Sequence, residues 1–210
     1  MKKKDSNVAR EKIITAAREV FSEYSYHAAT LRMIGKRGGF DHPLISYYFP
    51  SKAALFESVI GGICDEVLRA NRAWYAAVRE LSVKDALDRY LYFLIDFSRN
   101  NPRHFRILAL NLAQALSFSD IPGYLMIKDF LNRHNSNFIE QMGLGDDLAE
   151  TVMFTSAINV MVINYLGSSG VYSGMISSPG CGDDYFSWVK KSLLLLFEPW
   201  LRSLLKRRKN

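Results

Sequence analysis

The sequence predicts an all-α fold. Apolar residues recur every three to four positions along most of the 210 residues, and no stretch keeps the two-residue alternation of a strand. Prolines and paired glycines interrupt this periodicity at intervals, as they do between helices. With 49% hydrophobic and 23% charged residues, the chain can bury a sizeable core.

Three helices are predicted in the first 50 residues. Apolar spacing places the first over about residues 7–24. Thr30 is expected to cap a short second helix, which stops at the Gly-Gly pair 38–39 because glycine tolerates the left-handed turn at a helix end. Asp41 is expected to cap a third helix, with Pro43 in its first turn.

The periodicity stays helical after Ser51. A long fourth helix is predicted first, with Gly61-Gly62 as a soft point inside it. Further helices are predicted over about 83–100, 103–117, 122–142, 147–168 and 184–206. The Ser/Gly-rich run 167–184 has no periodicity and is predicted to be a loop.

Several features favour a soluble cytoplasmic protein. The two cysteines, Cys64 and Cys181, lie far apart and have no metal-binding spacing, which favours a reduced compartment and no disulfide, metal or cofactor. The N-terminus is charged and lacks the apolar core of a signal peptide. The apolar run 152–166 is read as too short and too polar to cross a bilayer, so no membrane contact is expected.

Positive charge is concentrated near the N-terminus. The formal net charge is +6; residues 1–52 hold 10 Lys and Arg against 5 Asp and Glu, whereas residues 53–201 hold 12 against 16. A basic segment on a slightly acidic body fits a polyanionic partner for that segment. A solvated surface without function would give the same distribution, so charge alone does not decide.

Two short helices joined by a glycine turn, inside a basic three-helix unit, are the pattern of a helix-turn-helix. Its last helix enters the DNA major groove with its N-terminal residues toward the bases. Ile45 and Phe49 would face inward, and Lys52 at the next helix start would suit a phosphate. The side chains left outside as DNA contacts are His42, Leu44, Ser46, Tyr47 and Tyr48. Alternatively, the aromatic residues 47–49 simply pack between domains, as we expect for Phe49.

The run from Ile13 to Ile60 resembles the DNA-binding domain of the tetracycline-repressor (TetR) family. That family's pattern reads I-x-x-A-A-x-x-x-F, G-Y-x-x-T, I-A-x-x-A-G-V-S and L-Y-x-x-F-x-S-K, followed by a leucine. The matching residues here are Ile13, Ala16, Ala17, Phe21, Tyr26, Thr30, Ile34, Gly39, Phe49, Ser51, Lys52 and Leu55. The resemblance covers roughly the first 60 residues.

The sequence departs from the family pattern at six positions. Ser25 replaces a usual glycine, Gly35 and Gly38 replace alanines, Phe40 takes a valine position, Asp41 the capping serine and Ser46 a common tyrosine. Asp caps as well as Ser. Ser46 matters more, because it removes a phenol that usually contacts phosphate.

The resemblance implies an N-terminal helix-turn-helix domain, residues 1–52, and a larger effector-binding and dimerisation bundle, residues 53–210. It places DNA contacts on Thr30, Arg32, His42, Pro43, Leu44, Ser46, Tyr48 and Lys52. Among these, Arg32 is our first candidate for a base contact, since its fork matches the guanine edge. It also implies a repressor that binds a palindromic operator as a homodimer and is released by a small molecule.

The bundle offers candidates for the effector pocket and the dimer interface. The region 74–114 is rich in aromatic residues with scattered polar groups, which suits an apolar pocket. The candidate ligand contacts are Trp74, Phe93, Phe97, His104, Phe105 and Asn111, although aromatic residues at helical spacing are more often plain core. Arg103 or Arg106 could receive one carboxylate, but a mostly apolar effector is expected. The apolar helices at 147–168 and 184–206 are expected to form the dimer, unless both are buried within one subunit.

Two other classes of function fit the sequence less well. An enzyme is disfavoured because the four histidines have no metal-ligand spacing, and no nucleophile elbow, P-loop or dinucleotide fingerprint is present. A helical adaptor that binds only protein would leave the basic helix-turn-helix unexplained.

Overall fold

The computed structural model describes residues 2–117, 119–142, 148–176 and 185–207, and these residues form helices joined by short turns. The helices are α1 Lys2–Glu23, α2 Leu31–Gly38, α3 His42–Tyr48, α4 Lys52–Val78, α5 Val83–Asn100, α6 Pro102–Leu112, α7 Tyr124–Met142, α8 Leu148–Gly167, α9 Ser169–Ile176 and α10 Tyr185–Arg207. No strand occurs in these residues. The predicted all-α fold, with a helix-turn-helix ahead of a larger bundle, is confirmed.

Three predicted boundaries were wrong. Helix α1 begins at Lys2, ahead of its predicted start near residue 7. The predicted loop 167–184 contains helix α9, because backbone N–H groups of Val171 and Tyr172 bond back to Ser168 O and continue the helical path beyond α8. Residues 177–184, including Cys181, lie outside the described residues. The helix predicted over 103–117 ends at Leu112, since the Asp120 carboxylate accepts the N–H groups of residues 116 and 117 and stabilises a turn there.

The first core joins the N-terminal helices to the bundle. Ile13, Phe21, Ile34 and Ile45 are fully buried, and they belong to the same cluster as buried residues of α4, α6 and α7. Phe21 packs edge-on against Phe56 of α4, with ring centroids 4.7 Å apart. Because this cluster crosses residue 52, the three-helix head is supported by α4 and α6.

The second core lies between α4, α5, α8 and α10, with one buried residue each from α6 and α7. Phe154 of α8 is buried in it, stacked on Phe138 of α7 at 5.7 Å and edge-on to Phe197 and Trp200 of α10. At the other end of the bundle, the Tyr185 hydroxyl donates to Tyr165 O at 2.5 Å. These contacts fix α10 against α8.

Two remaining sequence interpretations concern α8 and Cys64. The segment Ala149–Gly167 is long and apolar enough to cross a membrane by length and composition, so the reading of 152–166 as too short was wrong on those criteria. A third of the segment is buried in the bundle, including Phe154, Ile158 and Val162.

Cys64 is buried, and burial raises its pKa to about 12, as expected for an unreactive core thiol.

Candidate DNA-binding surface and internal cavity

Local hydrogen bonds define the turn between α2 and α3. Thr30 is extended, and its hydroxyl accepts from Met33 N at 3.2 Å, so it caps α2 as predicted. Gly39 has the left-handed φ of 70°, and the next N–H, that of Phe40, returns to Gly35 O at 2.9 Å. Asp41 occupies the N-cap position of α3, but its side chain makes no capping bond. The turn therefore depends on Thr30 and Gly39.

Helix α3 is anchored by one face and exposed on the other. Ile45 and Phe49 are buried, as predicted, whereas Tyr47 is 79% exposed. Tyr48 is half-buried, and its ring packs edge-on to that of Tyr47 at 5.0 Å. The other predicted DNA contacts that lie exposed are Thr30, Arg32, His42, Pro43, Leu44 and Ser46. The exposed residues of α2 and α3 thus form one candidate DNA-binding surface.

Lys52 is placed differently from a free phosphate-binding lysine. Its Nζ donates to Tyr26 O at 2.7 Å and to Ala29 O at 2.9 Å, and it lies 4.4 Å from the Tyr26 ring centroid. Burial lowers the pKa of Lys52. The ammonium has three donors, so one more can serve a phosphate after these two bonds. Lys52 thus ties α4 to the turn that precedes α2.

Sequence reasoning missed Arg37, which holds α2 against α1. Its guanidinium pairs with Glu23 at 2.6 Å and with Glu19 at 3.3 Å, and the hydrogen bonds that it donates to these carboxylates raise its pKa. Glu19 also pairs with Arg103 of α6 at 3.1 Å. The acidic residues spaced four apart on α1 were the signal, but their partner could not be identified without the fold.

The departures from the family pattern at Gly38 and Phe40 are structurally linked. A Cβ on Gly38 would lie 2.1 Å from Cε2 of the Phe40 ring and 3.0 Å from the Ala16 Cβ. The phenylalanine ring therefore occupies the space that an alanine side chain would need. This close approach explains why the larger Phe40 and the smaller Gly38 occur together.

Helix α6 connects the head to the bundle through buried polar contacts. Asn111 Oδ1 accepts the backbone N–H of Tyr26 at 2.7 Å. On the same side of α6, His104 Nε2 lies 2.6 Å from Glu66 of α4, whose other carboxylate oxygen pairs with Arg18 of α1 at 2.6 Å. Burial lowers the pKa of His104 despite Glu66, so the ring is neutral and donates from Nε2.

A cavity of about 90 Å³ lies between α4, α5, α6, α7, α8 and α10. Its wall is predominantly apolar and aromatic. The polar side chains that line it include Asn71, Tyr90, His134, Thr155 and Asn159. A ligand pocket normally combines such a wall with a few polar groups, so this cavity is the candidate effector site.

The six ligand contacts predicted from sequence do not come together. Phe105 lines the cavity, but Trp74, Phe93 and Phe97 form an aromatic group outside it, with Trp74 stacked on Phe93 at 6.4 Å. His104 and Asn111 point their polar atoms at α4 and the head, as described above. Neither Arg103 nor Arg106 lines the cavity either.

The cavity wall contains a hydrogen-bonded chain that the sequence did not reveal. The Tyr90 hydroxyl donates to Asn71 Oδ1 at 2.7 Å, and Asn71 Nδ2 lies 3.3 Å from His134 Nδ1. Burial lowers the pKa of His134 to about 4, so the ring is neutral at pH 7. Its Nδ1 then accepts from Asn71, and the ring proton is on Nε2.

Comparison with known proteins places the helix-turn-helix in a family. Residues 13–59 match the model of "Bacterial regulatory proteins, tetR family". The HTH-type transcriptional regulator RutR of Escherichia coli strain K12 is 28% identical over 103 residues, 49% of this chain and 47% of that protein. The alignment thus spans about half the length of this curated relative.

Solved structures match over most of the chain. The fatty acid degradation regulator FadR from Bacillus halodurans has a TM-score of 0.64 at 20% identity, covering 90% of this chain and 95% of that one. FadR from Bacillus subtilis, solved in complex with stearoyl-CoA, has a TM-score of 0.63 at 18% identity, covering 89% and 96%. At these identities the likeness concerns the fold. Residues 13–59 are thus similar to the tetR family of bacterial regulatory proteins, and the chain as a whole has the fold of these solved regulators.

Proposed function

We propose that the chain is a ligand-responsive transcriptional repressor that binds a palindromic operator as a homodimer and is released by a small, mostly apolar effector. The observation that carries this proposal is the exposed face of α3 in a head that resembles the tetR family. The opposite face of α3 is held in the core by the buried residues Ile45 and Phe49. An exposed Tyr47 beside polar side chains suits base edges and phosphates. An enzymatic role has no support in the family.

Residues 30–52 are the proposed DNA-binding segment within a head of residues 1–52. Arg32 is exposed on α2, so its guanidinium is available to a guanine edge. Ser46 Oγ lies 3.3 Å from His42 Nδ1, which places a hydroxyl and an imidazole side by side on the exposed face of α3. Lys52 is proposed to contact phosphate with its third donor while it holds the turn.

The homodimer is proposed to form through α8 and α10. Met153 and Val160, seven residues apart on α8, are 63% and 59% exposed; Trp188 and Leu195, seven apart on α10, are 37% and 76% exposed. Seven residues are nearly two helical turns, so each pair lies on one side of its helix. A two-fold pairing would cover these apolar side chains, and we place the protein in the cytoplasm with its DNA.

Helix α6 is proposed to transmit effector binding. Phe105 and Leu108 line the cavity, whereas His104 and Asn111 contact α4 and the head. A ligand that displaces α6 would therefore disturb both its contact with α4 and its contact with the head. Two heads read successive major grooves only when they are about 34–36 Å apart, so a small tilt of each head lowers operator affinity.

The proposal is tested by gel shift with the DNA that lies upstream of the gene for this protein and with a scrambled duplex of equal length. We expect preference for the upstream duplex and an affinity that falls steeply with salt, with a log–log slope of about −0.9 per phosphate contact. Light scattering should give a dimer at micromolar concentration. Equal binding to both duplexes across a set of upstream fragments, or a monomer, would contradict the proposal.

A further inference from the structure

The cavity between α4 and α8 carries no formal charge in the part of the chain that the structure describes. Lys, Arg, Asp and Glu are absent from its described lining, and its one histidine, His134, is neutral. A carboxylate or phosphate inside would lose its hydration and find no counter-charge, which is strongly unfavourable. The site therefore selects against anions.

Four polar side chains of the wall are already hydrogen-bonded within the protein. Tyr90, Asn71 and His134 bond to one another, as described above. The Thr155 hydroxyl donates to the backbone of its own helix, with Thr151 O at 3.0 Å and Val152 O at 3.1 Å. These groups shape the wall without calling for a ligand atom.

Asn159 differs from them. It lies one helical turn after Thr155 and lines the same cavity, and its Nδ2 is buried with no hydrogen-bond partner among the described residues. A buried N–H without an acceptor is unfavourable, and native structures rarely leave one unpaired. An acceptor atom of a bound molecule would satisfy it.

We propose that the effector is an uncharged, largely apolar molecule of single-ring size that carries a hydrogen-bond acceptor, such as a carbonyl oxygen, recognised by the Asn159 amide nitrogen. This inference rests on the proposed effector-binding function and assigns the chemical class of its ligand. The volume of about 90 Å³ limits the molecule to no more than a single ring. That volume corresponds to roughly six to nine water positions at about 10–15 Å³ each.

The aromatic wall fits a planar ring. Tyr75, Phe130, Phe138 and Phe154 line the cavity, and aromatic rings pair favourably at centroid distances of 4.5–7 Å, in stacked or edge-on geometry. Tyr75 and Tyr90 already stack at 5.5 Å. A ring seated on these side chains would keep its acceptor free to meet Asn159.

Three probes of similar size separate the alternatives: acetophenone is neutral with an acceptor, ethylbenzene is neutral without one, and benzoate is anionic. Binding to the full-length protein is measured by calorimetry and by thermal shift. We expect acetophenone to bind about tenfold more tightly than ethylbenzene, the typical worth of one hydrogen bond. Benzoate should not bind measurably.

The variant Asn159→Leu keeps a similar volume and removes the donor. It should abolish the preference for acetophenone, whereas Asn164→Leu, an exposed asparagine on the same helix, should preserve it. Equal affinity for acetophenone and ethylbenzene in the unsubstituted protein, tighter binding of benzoate, or no binding of any probe at millimolar concentration would overturn the inference. Operator binding is measured on the same protein. An intact gel shift without probe binding would reject only the proposed ligand class. Probe binding without a gel shift would reject the proposed repressor function.

Discussion

The side-chain oxygen of Asn111 accepts the backbone N–H of Tyr26 at 2.7 Å, across 85 positions of sequence. Asn111 is completely buried, and its Nδ2 donates to Ile107 O at 2.9 Å, so the amide is held in one orientation. Tyr26 belongs to the turn between α1 and α2, which Lys52 also holds. Helix α6 is thus bonded directly to the backbone that positions the helix-turn-helix.

Asn111→Leu should destabilise the protein and weaken its response to effector. The substitution leaves the part-buried Tyr26 N–H without its acceptor, which costs up to about 1–3 kcal/mol of unfolding free energy. The measurement is denaturant unfolding together with operator affinity with and without effector. Asn100→Leu is the control, because Asn100 is exposed and bonds only within its own helix, to Asp96. If Asn111→Leu lost no more unfolding free energy and no more effector response than Asn100→Leu, the proposed connection between α6 and the head would be contradicted.

Arg32→Ala should relax base preference, whereas Arg37→Ala should act through the fold. Arg32 is exposed, and loss of a bidentate guanine contact costs about 1–3 kcal/mol at one base pair of each half-site. Arg37 is paired with Glu19 and Glu23, so its loss should loosen α2 and weaken all duplexes alike. Gel shifts on a panel of single-base operator variants distinguish the two effects. An unchanged preference profile for Arg32→Ala would mean that another residue reads that base.

Lys52→Ala should weaken binding to every duplex about equally and also lower the stability of the head. The substitution removes two charge-assisted bonds, to Tyr26 O and Ala29 O, in addition to the proposed phosphate contact. Salt titrations should show a log–log slope reduced by about 1. Lys36→Ala, an exposed lysine of α2, removes the same charge and serves as the comparison for stability. Unaltered stability of Lys52→Ala would mean that the two carbonyl bonds contribute little.

The head was largely predictable because its signals are local. Thr30, the glycine turn and the spacing of Ile45 and Phe49 are each determined by residues within one or two helical turns. The roles of Arg37 and Lys52 were not, because their partners lie on other elements. A charged side chain carries no sequence mark that separates a fold contact from a DNA contact.

The cavity was only partly predictable. The sequence indicated an aromatic region at 74–114, but periodicity cannot tell which aromatic residues face a void and which face one another. Trp74 and Phe93 stack together, whereas the neighbouring Tyr75 and Tyr90 line the cavity. Asn159 had no signal at all, since its importance depends on the absence of a local partner.

The soft point predicted at Gly61-Gly62 makes contacts that its sequence did not reveal. Helix α4 continues through both glycines without interruption. A Cβ on Gly62 would lie 2.9 Å from Arg18 Nη2, and one on Gly61 would lie 2.9 Å from Met126 Cε. Both atoms are ends of flexible side chains that can move aside at little cost, but a shifted Arg18 would also disturb its ion pair with Glu66. Loss of coupling in such variants is therefore not specific to a hinge.

Gly38 and Phe40 should be energetically coupled. Gly38→Ala alone places a methyl group against the Phe40 ring and should destabilise the head by about 1–3 kcal/mol through overpacking. Phe40→Val alone leaves a void. The double variant restores the alanine and valine that are usual in the family. It should be more stable, by about 1 kcal/mol or more, than the sum of the two single effects predicts. Additive effects in a denaturation double-mutant cycle would show that the ring moves aside without cost.

His134 should make the bundle sensitive to acid below neutral pH. Burial lowers its pKa from an ordinary 6.5 to about 4 in the folded protein, so between these values the unfolded chain binds the proton more tightly. The neutral ring's contribution to stability is therefore complete above pH 6.5 and is lost as pH falls toward 4. From pH 7 to pH 5 the loss amounts to about 2 kcal/mol at 1.36 kcal/mol per pKa unit.

The variant His134→Gln keeps an acceptor for Asn71 but cannot take up a proton. Urea unfolding at fixed protein concentration, at pH 7 and pH 5, should show a smaller acid-induced loss in the variant than in the unsubstituted protein, by about the same 2 kcal/mol. Hydrogen bonds from Arg18 and His104, opposing burial, lower the pKa of Glu66, so its own contribution is lost at lower pH, and it is common to both proteins. If both proteins lost the same unfolding free energy, His134 would have to be protonated or solvated in the folded state. The inference that the cavity excludes anions would then fail, because a charged imidazole beside Asn71 would provide an anionic ligand with a partner.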